Sequence, residues 1–295
     1  MNILITGATG LVGTALIPQL LAQHHHITAL TRSIKKAKQK CSFAIDWIEQ
    51  LENFTNLDQF DVVINLAGEP IFNHPWTNAQ KVRLKNSRIL LTQQLSTLIN
   101  QGNHPPLFIS GSATGYYGDG QQKILTENSP PGNSFTSELC QAWEQSALNA
   151  NTRVCIIRTG MIMAPKGGAL AKMLPIYRLG LGGKLGSGQQ YWPWIALEDM
   201  VNGINFLLNH KTASGIFNFT APNPVHNSEF NQILANTLKR FHFAMVPAFL
   251  LKFLFGERVQ LLLDSQNVYP THLLKLGYQF KFETLADYFQ KKFQK

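Results

Sequence analysis

Residues 4–13 of the 295-residue chain, Leu4-Ile5-Thr6-Gly7-Ala8-Thr9-Gly10-Leu11-Val12-Gly13, carry three glycines at the spacing Gly-x-x-Gly-x-x-Gly after a short apolar run. Gly7 permits a tight turn, Gly10 lets a ligand approach the backbone, and Gly13 lets a helix pack closely against the strand. A pyrophosphate at the start of that helix meets free N–H groups and the positive end of the helix dipole. The stretch therefore predicts a strand, a turn and a helix that bind a dinucleotide; a purely structural turn is the alternative. The loop residues expected to contact the dinucleotide are Gly7, Thr9, Gly10, Leu11, Val12 and Gly13.

Short apolar runs alternate with longer helical patterns through the first half of the chain. The predicted strands cover residues 1–5, 27–30, 61–66, 107–110 and 154–158, and the predicted helices include 78–101 and 136–150. Asn78 is the expected N-cap of the first of these helices, and Ser134 or Thr136 that of the second. Because this alternation is typical of βαβ units, we predict an α/β protein with a Rossmann-type, doubly wound, mostly parallel sheet.

The rhythm of strands and helices changes after residue 165. We therefore predict a Rossmann dinucleotide-binding core over residues 1–165 and a smaller C-terminal substrate-side segment over 166–295, with parts that return to the Rossmann sheet. The glycine-rich stretch 180–188 within that segment predicts a hairpin, or alternatively a mobile lid over a ligand. A helix is expected from Glu198 to Asn209, in which Asp199 either braces the helix or contacts the substrate.

Composition and charge narrow the range of partners. The formal net charge is +9, but the lysines and arginines are scattered and accompany no RNA-binding motif, so we expect no nucleic acid partner. An anionic cofactor or substrate accounts for part of the positive charge. The cysteines Cys41, Cys140 and Cys155 lie far apart and form neither a disulfide framework nor a metal motif, so no metal is expected. No apolar run approaches the roughly 18 residues that span a bilayer, and we expect a cytoplasmic protein without a membrane partner.

The end of the second predicted strand, Thr31-Arg32-Ser33, bears on the choice of cofactor. Enzymes that prefer NAD usually have an acidic residue at this place, which binds the ribose 2′-hydroxyl. Arg32 can instead bind the 2′-phosphate of NADP through paired hydrogen bonds. We therefore predict NADP as the cofactor; a solvated surface arginine is the alternative. The small residues expected to line the nicotinamide half of the site are Leu66, Ala67 and Gly68.

Three motifs carry a resemblance to a known superfamily. They are Thr6-Gly7-x-x-Gly10-x-x-Gly13, Asn65-Leu66-Ala67-Gly68, and Ser-Gly-Ser-Ala-Thr-Gly-Tyr-Tyr-Gly-Asp at 110–119. With these motifs the chain resembles the extended branch of the short-chain dehydrogenases/reductases. More narrowly, it is similar to the atypical epimerase-like family of NADP-binding proteins, through Arg158-Thr159-Gly160, the stretch 180–188 that runs into Trp194-Ile195, and the tail around Gly277-Tyr278.

The resemblance covers nearly the whole chain and implies a set of cofactor contacts. For Arg88 the alternative is an exposed charge on a helix. The residues that the resemblance and the motifs together assign to the cofactor, beyond the glycine loop, are Thr31, Arg32, Leu66, Ala67, Gly68, Arg88, Ser110, Met161 and Ile162.

The catalytic pattern of that superfamily is incomplete in this chain. Its usual chemistry employs Tyr as the proton donor or acceptor, Lys to lower the pKa of that Tyr, and Ser to bind the reacting oxygen. Ser112 matches the serine. At the Tyr-x-x-x-Lys positions the chain has Phe135 and Leu139 in one register, or Thr136 and Cys140 in the neighbouring register. Neither register supplies a phenol and a fixed positive charge.

Two tyrosines beside Ser112 are candidates for the missing phenol. Tyr117, or else Tyr116, is a possible substitute proton donor, and packing within the loop is the alternative for both. Cys140 is expected to be a helical core residue rather than an active thiol. The leading hypothesis is an NADP-dependent oxidoreductase or epimerase-like enzyme acting on a small-molecule substrate, with Ser112 and Tyr117 as catalytic residues. The alternative is an NADP(H)-binding sensor or regulatory protein without turnover, because the Tyr and Lys are missing.

Overall fold

The computed structural model describes residues 1–294, and a seven-stranded parallel sheet lies at its centre. The strands are β1 (Asn2–Thr6), β2 (His26–Leu30), β3 (Asp46–Ile48), β4 (Val62–Asn65), β5 (Leu107–Ala113), β6 (Ile124–Leu125), β7 (Val154–Thr159), β8 (Met161–Met163), β9 (Gly183–Leu185), β10 (Tyr191–Trp192), β11 (Trp194–Ala196), β12 (Gly215–Phe219), β13 (Val225–His226), β14 (Ala244–Val246) and β15 (Asn267–Val268).

The α-helices connect these strands or follow them. They are α1 (Leu11–Ala22), α2 (Ile34–Lys40), α3 (Asn78–Asn100), α4 (Phe135–Leu148), α5 (Gly168–Arg178), α6 (Leu197–Asn209), α7 (Asn227–Thr237), α8 (Ala248–Phe255), α9 (Gln260–Leu263), α10 (Thr271–Lys275) and α11 (Leu285–Phe293), and 3₁₀ turns occupy Thr114–Tyr117 and Gly256–Val259.

The order of strands in the central sheet is β12-β7-β5-β4-β1-β2-β3, and every neighbouring pair is parallel. The chain winds in one direction from β1 through β3 and in the other from β4 through β12. In such sheets ligands bind beyond the carboxyl ends of the strands where the winding reverses, which here is between β1 and β4. The predicted Rossmann-type, doubly wound fold is confirmed.

The central strands are apolar on both faces because each face is covered by helices. Ile3 and Ile5 of β1 belong to one apolar layer, together with Leu16 of α1 and Ile204 of α6. Leu4, between them, points to the opposite layer, which includes residues of α3. The two-residue period of a strand thus divides one short run of sequence between two cores.

The chain after β7 forms a second apolar core beside the sheet. Trp194, Phe230 and Tyr288, from three separated elements, are fully buried there. Asp199 in the first turn of α6 fastens the C-terminal tail, because its carboxylate accepts hydrogen bonds from the backbone N–H of Lys281 at 2.7 Å and of Phe282 at 3.0 Å. Burial raises the pKa of Asp199 above its ordinary value. Its contacts are those of a brace.

Local details differ from the sequence predictions in three places. Thr77, rather than Asn78, caps α3 through a bond from the Gln80 N–H, whereas Ser134 caps α4 as expected. Neither β3 nor β12 was predicted, although these strands form the two edges of the central sheet. The stretch 180–188 is not a hairpin, because its strand β9 pairs in parallel with the distant β14. In the part of the chain described, no helix combines the length and hydropathy needed to cross a bilayer.

Candidate functional site

The glycine loop lies at the carboxyl end of β1 and opens directly into α1. Gly7 has φ of +74°, and a Cβ there would lie 2.7 Å from the Leu66 carbonyl carbon. A Cβ at Gly13 would overlap the Gly7 carbonyl oxygen, so both positions require glycine. Gly10 is different: its φ of −80° suits any residue, and the Gly7 oxygen at 3.1 Å is the one atom near its Cβ position. The open side of Gly10, at the N-terminus of α1, is where a phosphate would lie.

A buried set of hydrogen bonds joins this loop to the loop after β4. The Thr6 hydroxyl donates to Asn65 Oδ1 at 2.7 Å and accepts the backbone N–H groups of Leu66 and Ala67, each at 3.1 Å. Asn65 Nδ2 donates in turn to Thr92 Oγ1 at 2.8 Å. These bonds fix the backbone of Leu66 and Ala67 opposite the glycine turn, in the position predicted for the nicotinamide half of the site.

Ser110 and Arg88 have structural partners of their own. Ser110 is fully buried, and its hydroxyl lies 3.4 Å from Asn65 Nδ2. The Arg88 guanidinium donates to the backbone oxygens of Glu69 at 2.9 Å and Leu84 at 3.2 Å, and it lies close over Gly68. Burial lowers the pKa of Arg88. Both residues support the loop after β4, and their contact with a cofactor stays a prediction.

A group of cations surrounds the end of β2. The Arg32 side chain is exposed and has no ionic or hydrogen-bonded partner within residues 1–294. Thr31 precedes it, and the Ser33 hydroxyl caps α2. Lys40, at the end of α2, donates to the backbone oxygen of Thr9 at 2.6 Å, which places a second positive charge on the glycine loop.

One carboxylate, that of Glu49, lies beside this group of cations. Glu49 accepts the Ile34 N–H at 2.7 Å. Arg32, Lys35, Lys36, Lys38 and Lys40 nevertheless leave the region strongly positive, so its residues fit a ligand that carries one more phosphate than NAD.

The far side of the loop is closed by segments that follow β7. Met161 and Ile162 lie in β8, half-buried, and pair with Trp194 and Ile195 of β11. A Cβ on Gly167 would lie 2.5 Å from Leu11 Cδ1, so the turn before α5 passes directly over the start of α1. Gly167 was not predicted to belong to the site, although the pair Gly167-Gly168 is visible in the sequence.

The Ser112 side chain belongs to a buried ionic network at the carboxyl end of β5. Its hydroxyl donates to Glu144 Oε1 at 2.6 Å. The Arg158 guanidinium binds the same carboxylate through both oxygens, with Nε 2.9 Å from Oε1 and Nη2 2.8 Å from Oε2. Burial alone would lower the pKa of Arg158, but the hydrogen bonds and charge of Glu144 outweigh it and the pKa is raised. The two Glu144 oxygens thus accept from both Ser112 and Arg158, and because the Ser112 hydroxyl donates to Glu144, the Ser112 oxygen is left as a hydrogen-bond acceptor.

Tyr117 belongs to the same network. Its phenol donates to Asn218 Oδ1 at 2.7 Å and accepts from Arg158 Nη1 at 3.0 Å. Burial raises the pKa of Tyr117 to about 12. Tyr116 covers the opposite side, with its ring centroid 3.3 Å from the Arg158 guanidinium carbon. The role of Tyr117 as a proton donor stays a prediction. Its hydrogen bonds to Asn218 and from Arg158 argue against that role, because they already occupy the phenol.

The structure distinguishes the two possible registers of the missing Tyr-x-x-x-Lys pair. Phe135 packs on Trp76 with ring centroids 5.1 Å apart, and Leu139 is buried in the same apolar cluster. Thr136 and Cys140 instead face Gly115, in the 3₁₀ turn after β5. They therefore face the turn that follows Ser112 in the chain. Burial raises the pKa of Cys140 to about 11, which is consistent with the expected inert core thiol.

Sequence reasoning missed Glu144 and Asn218 in this network. Both are buried polar residues, Glu144 in α4 and Asn218 in β12. A buried carboxylate needs a charged or hydrogen-bonding partner. The partners of Glu144 lie on β5 and β7, so the local sequence around Glu144 does not reveal them. Within residues 1–294, no three His, Cys, Asp or Glu side chains come together in a way that could hold a metal ion.

The seven parallel strands, the glycine turn at the winding reversal and the cations beyond β2 define a Rossmann-type α/β protein with a dinucleotide-type loop. Residues 3–219 match the "NAD dependent epimerase/dehydratase family", and residues 246–291 match a "Domain of unknown function (DUF1731)". The chain belongs to the NAD dependent epimerase/dehydratase family, and the resemblance seen in its motifs is confirmed.

Relatives span almost the entire chain. The epimerase family protein SDR39U1 homolog, chloroplastic, of Arabidopsis thaliana is 40% identical over 296 residues, covering 97% of this chain and 85% of the relative. The epimerase family protein SA0724 of Staphylococcus aureus (strain N315) is 38% identical, covering 96% of this chain and 95% of the relative.

Solved structures of epimerases and epimerase family proteins also match. The human epimerase family protein SDR39U1 (isoform 2), crystallised with NADPH, has a TM-score of 0.90 and 32% identity, covering 99% of this chain and 98% of that chain. The nucleoside-diphosphate sugar epimerase of Corynebacterium glutamicum has a TM-score of 0.77 and 29% identity, covering 98% of this chain and 57% of that chain.

Proposed function

We propose that this protein is an NADP(H)-dependent oxidoreductase or epimerase-like enzyme that acts on a small molecule. The observation that carries the proposal is the pairing of an open glycine loop with Arg32, an exposed cation that has no partner within residues 1–294. The match to a human protein crystallised with NADPH supports the same cofactor. The C. glutamicum relative, a nucleoside-diphosphate sugar epimerase, makes nucleotide sugars a reasonable first class of substrate to test.

In this proposal the phosphates of the cofactor bind at Gly10 and the start of α1, the 2′-phosphate at Arg32, and the nicotinamide beside Leu66 and Ala67. The cofactor, when bound, supplies hydride acceptance or donation. The oxygen of Ser112 accepts a hydrogen bond from a substrate hydroxyl, because its own proton is committed to Glu144. The superfamily's usual proton carrier is replaced by Thr136, so water takes or gives the proton.

Calorimetric titration with NADP(H) and NAD(H) tests the cofactor assignment. We expect the parent protein to bind NADP(H) more tightly, and Arg32→Ala to remove most of the difference. One charge-assisted contact is worth roughly 1.5–3 kcal/mol, on the order of tenfold to a hundredfold in affinity. Arg83→Ala, an exposed arginine on α3, is the matched control and should change nothing. Equal affinities for the two cofactors in the parent would refute the assignment.

A second function is favoured by the hydroxyls around Ser112. Ser112 and Tyr117 both donate to buried acceptors, and Thr136 with Cys140 replaces the catalytic pair. An NADP(H)-binding sensor or regulatory protein needs no proton carrier, so these substitutions would leave its function, cofactor binding, unaffected. Absorbance of the reduced nicotinamide and analysis of the products, with a panel of nucleotide sugars and carbonyl compounds, separate the two. An oxidoreductase changes the absorbance, whereas an epimerase returns the hydride and changes only the configuration of the product. Tight NADPH binding with neither change indicates the sensor.

A further inference from the structure

An exposed apolar face lies on the C-terminal segment, remote in sequence from the glycine loop. Phe243, Phe249 and Phe253 retain 84%, 74% and 85% of their side-chain exposure, which is unusual for phenylalanine in a folded protein. The remaining exposed members of the face are Ile176, Leu179, Leu181, Phe241, Met245, Leu250 and Leu254. We call this set the apolar face.

Regular structure holds the members of the apolar face in place. Phe241, Phe243 and Met245 alternate along the extended chain into β14, so they share one side. Phe249 and Phe253 are four residues apart on α8 and form one stripe, while Leu251 on the other side of the helix is buried. β14 pairs with β9, which brings the end of α5 beside the same strand. Phe241 and Phe243 are in contact, with ring centroids 5.6 Å apart, and α8 follows directly after β14, so these phenylalanines are held by neighbouring elements of the chain.

The segments that carry the apolar face contain only positive charges, and the acidic residues that flank one of them are Glu229 and Glu257, of which Glu257 pairs with Lys81. The segment 230–256 contains Lys239, Arg240 and Lys252 and no Asp or Glu, and 168–185 contains Lys172, Arg178 and Lys184 and again no acidic residue. None of these six cations forms a salt bridge within residues 1–294. Exposed aromatic side chains among unpaired cations are the composition of a surface that inserts into the headgroup region of an anionic bilayer.

We propose that the apolar face docks on an anionic lipid membrane, with the phenylalanines inserted among the acyl chains and the cations against the headgroups. A second copy of the chain fits less well, because a two-fold interface would place the same cations opposite one another without an acidic partner from either segment. The protein lies on the bilayer in this arrangement and does not span it. This proposal departs from the sequence expectation of no membrane partner, which rested on the scattered cations and on the lack of a long apolar run, because the face is assembled from separated parts of the chain.

Co-sedimentation with lipid vesicles tests the proposal. The full-length protein is mixed with vesicles of phosphatidylcholine alone, or of phosphatidylcholine with about one-third phosphatidylglycerol. We expect binding to the anionic vesicles at least tenfold stronger than to the neutral ones. Phe249→Ser combined with Phe253→Ser should lower that binding at least tenfold, and Leu90→Ser, which alters an exposed leucine on α3, should leave it unchanged.

The cations are tested with a matched pair of variants. Lys239→Gln with Arg240→Gln should weaken binding to anionic vesicles several-fold, whereas Lys211→Gln with Lys275→Gln, which removes the same charge elsewhere on the surface, should have little effect. Circular dichroism establishes that each variant is folded. Absence of sedimentation with anionic vesicles, or equal binding by the double phenylalanine variant, would overturn the proposal. A dimer in sedimentation velocity that the phenylalanine variant dissolves, without vesicle binding, would assign the face to a second copy instead.

Discussion

Glu144→Gln tests the most consequential electrostatic contact in the molecule, the ion pair between Glu144 and Arg158. The two side chains are 4% and 1% exposed, and the Arg158 guanidinium binds both carboxylate oxygens. Glutamine keeps the shape of the side chain but removes its charge, and its amide N–H₂ cannot accept the second guanidinium bond. The variant therefore leaves a buried positive charge without the carboxylate that balances it.

The expected cost follows from that loss. Removing one partner of a buried, hydrogen-bonded ion pair costs about 3–5 kcal/mol, because the remaining charge is neither solvated nor paired. Unfolding entropy of about 2 cal/mol/K per residue gives roughly 0.6 kcal/mol/K for 295 residues. The melting temperature should then fall by about 5–8 °C.

Urea and thermal unfolding of matched variants measure this cost. Glu138→Gln is the control, because Glu138 lies on the same helix but its side chain is 63% exposed and 3.9 Å from Lys85. Its effect should stay within about 0.5 kcal/mol. If Glu144→Gln also remains within about 0.5 kcal/mol of the parent, the reasoning that Glu144 balances a buried charge is wrong.

Three further variants test separate parts of the structure. Gly10→Val should abolish NADPH binding in a titration yet leave circular dichroism unchanged, because its φ suits valine and the added methyls fill the phosphate position; unchanged affinity would place the phosphates elsewhere. Tyr117→Phe should lower stability by about 1–3 kcal/mol with turnover of folded protein within a few-fold, as for the control Cys140→Ser; a loss of about 10²–10⁴ would restore the phenol as proton donor. Burial and then Asp119 raise the pKa of Asp264 to about 6, so the folded state holds more protons than the unfolded state between about pH 4 and 6 and loses stability as the pH rises. Asp264→Asn should therefore raise the melting temperature more near pH 7.5 than near pH 4.5; equal shifts at both would contradict this sign.

Much of the Rossmann core could be predicted because its signals are local. An apolar run, a glycine turn and a helix follow one another in residues 1–22, and each element carries its own pattern. β12 was missed for the opposite reason. Its sequence, Gly-Ile-Phe-Asn-Phe, becomes a strand of the central sheet by pairing with β7, and the pairing residues lie far apart in the chain. The parallel pairing of β9 with β14 could not be predicted on the same ground.

The residues of the candidate site also divide into those that local sequence predicts and those that it does not. The sequence identifies Gly7, Gly10 and Arg32 because the turn and the strand end that position them are formed by neighbouring residues of the chain. The partners of Ser112 are not, because Glu144 comes from α4 and Arg158 from β7. For Arg88 the structure adds what the sequence could not show, two backbone oxygens that its guanidinium binds, and its contact with a cofactor stays a prediction.

The network also bears on why a chain can keep the cofactor loop while its catalytic pair is replaced. In the usual arrangement a lysine supplies the positive charge beside the reacting oxygen. Here the fixed positive charge nearest Ser112 is Arg158, on the neighbouring strand, and Glu144 neutralises it. Thr136 and Cys140 then face the loop after Ser112 without a charge to balance, so neither substitution leaves a buried ion unpaired. The fold thus tolerates threonine and cysteine at these positions, and it leaves the Ser112 oxygen able to accept from a hydrogen-bond donor such as a hydroxyl.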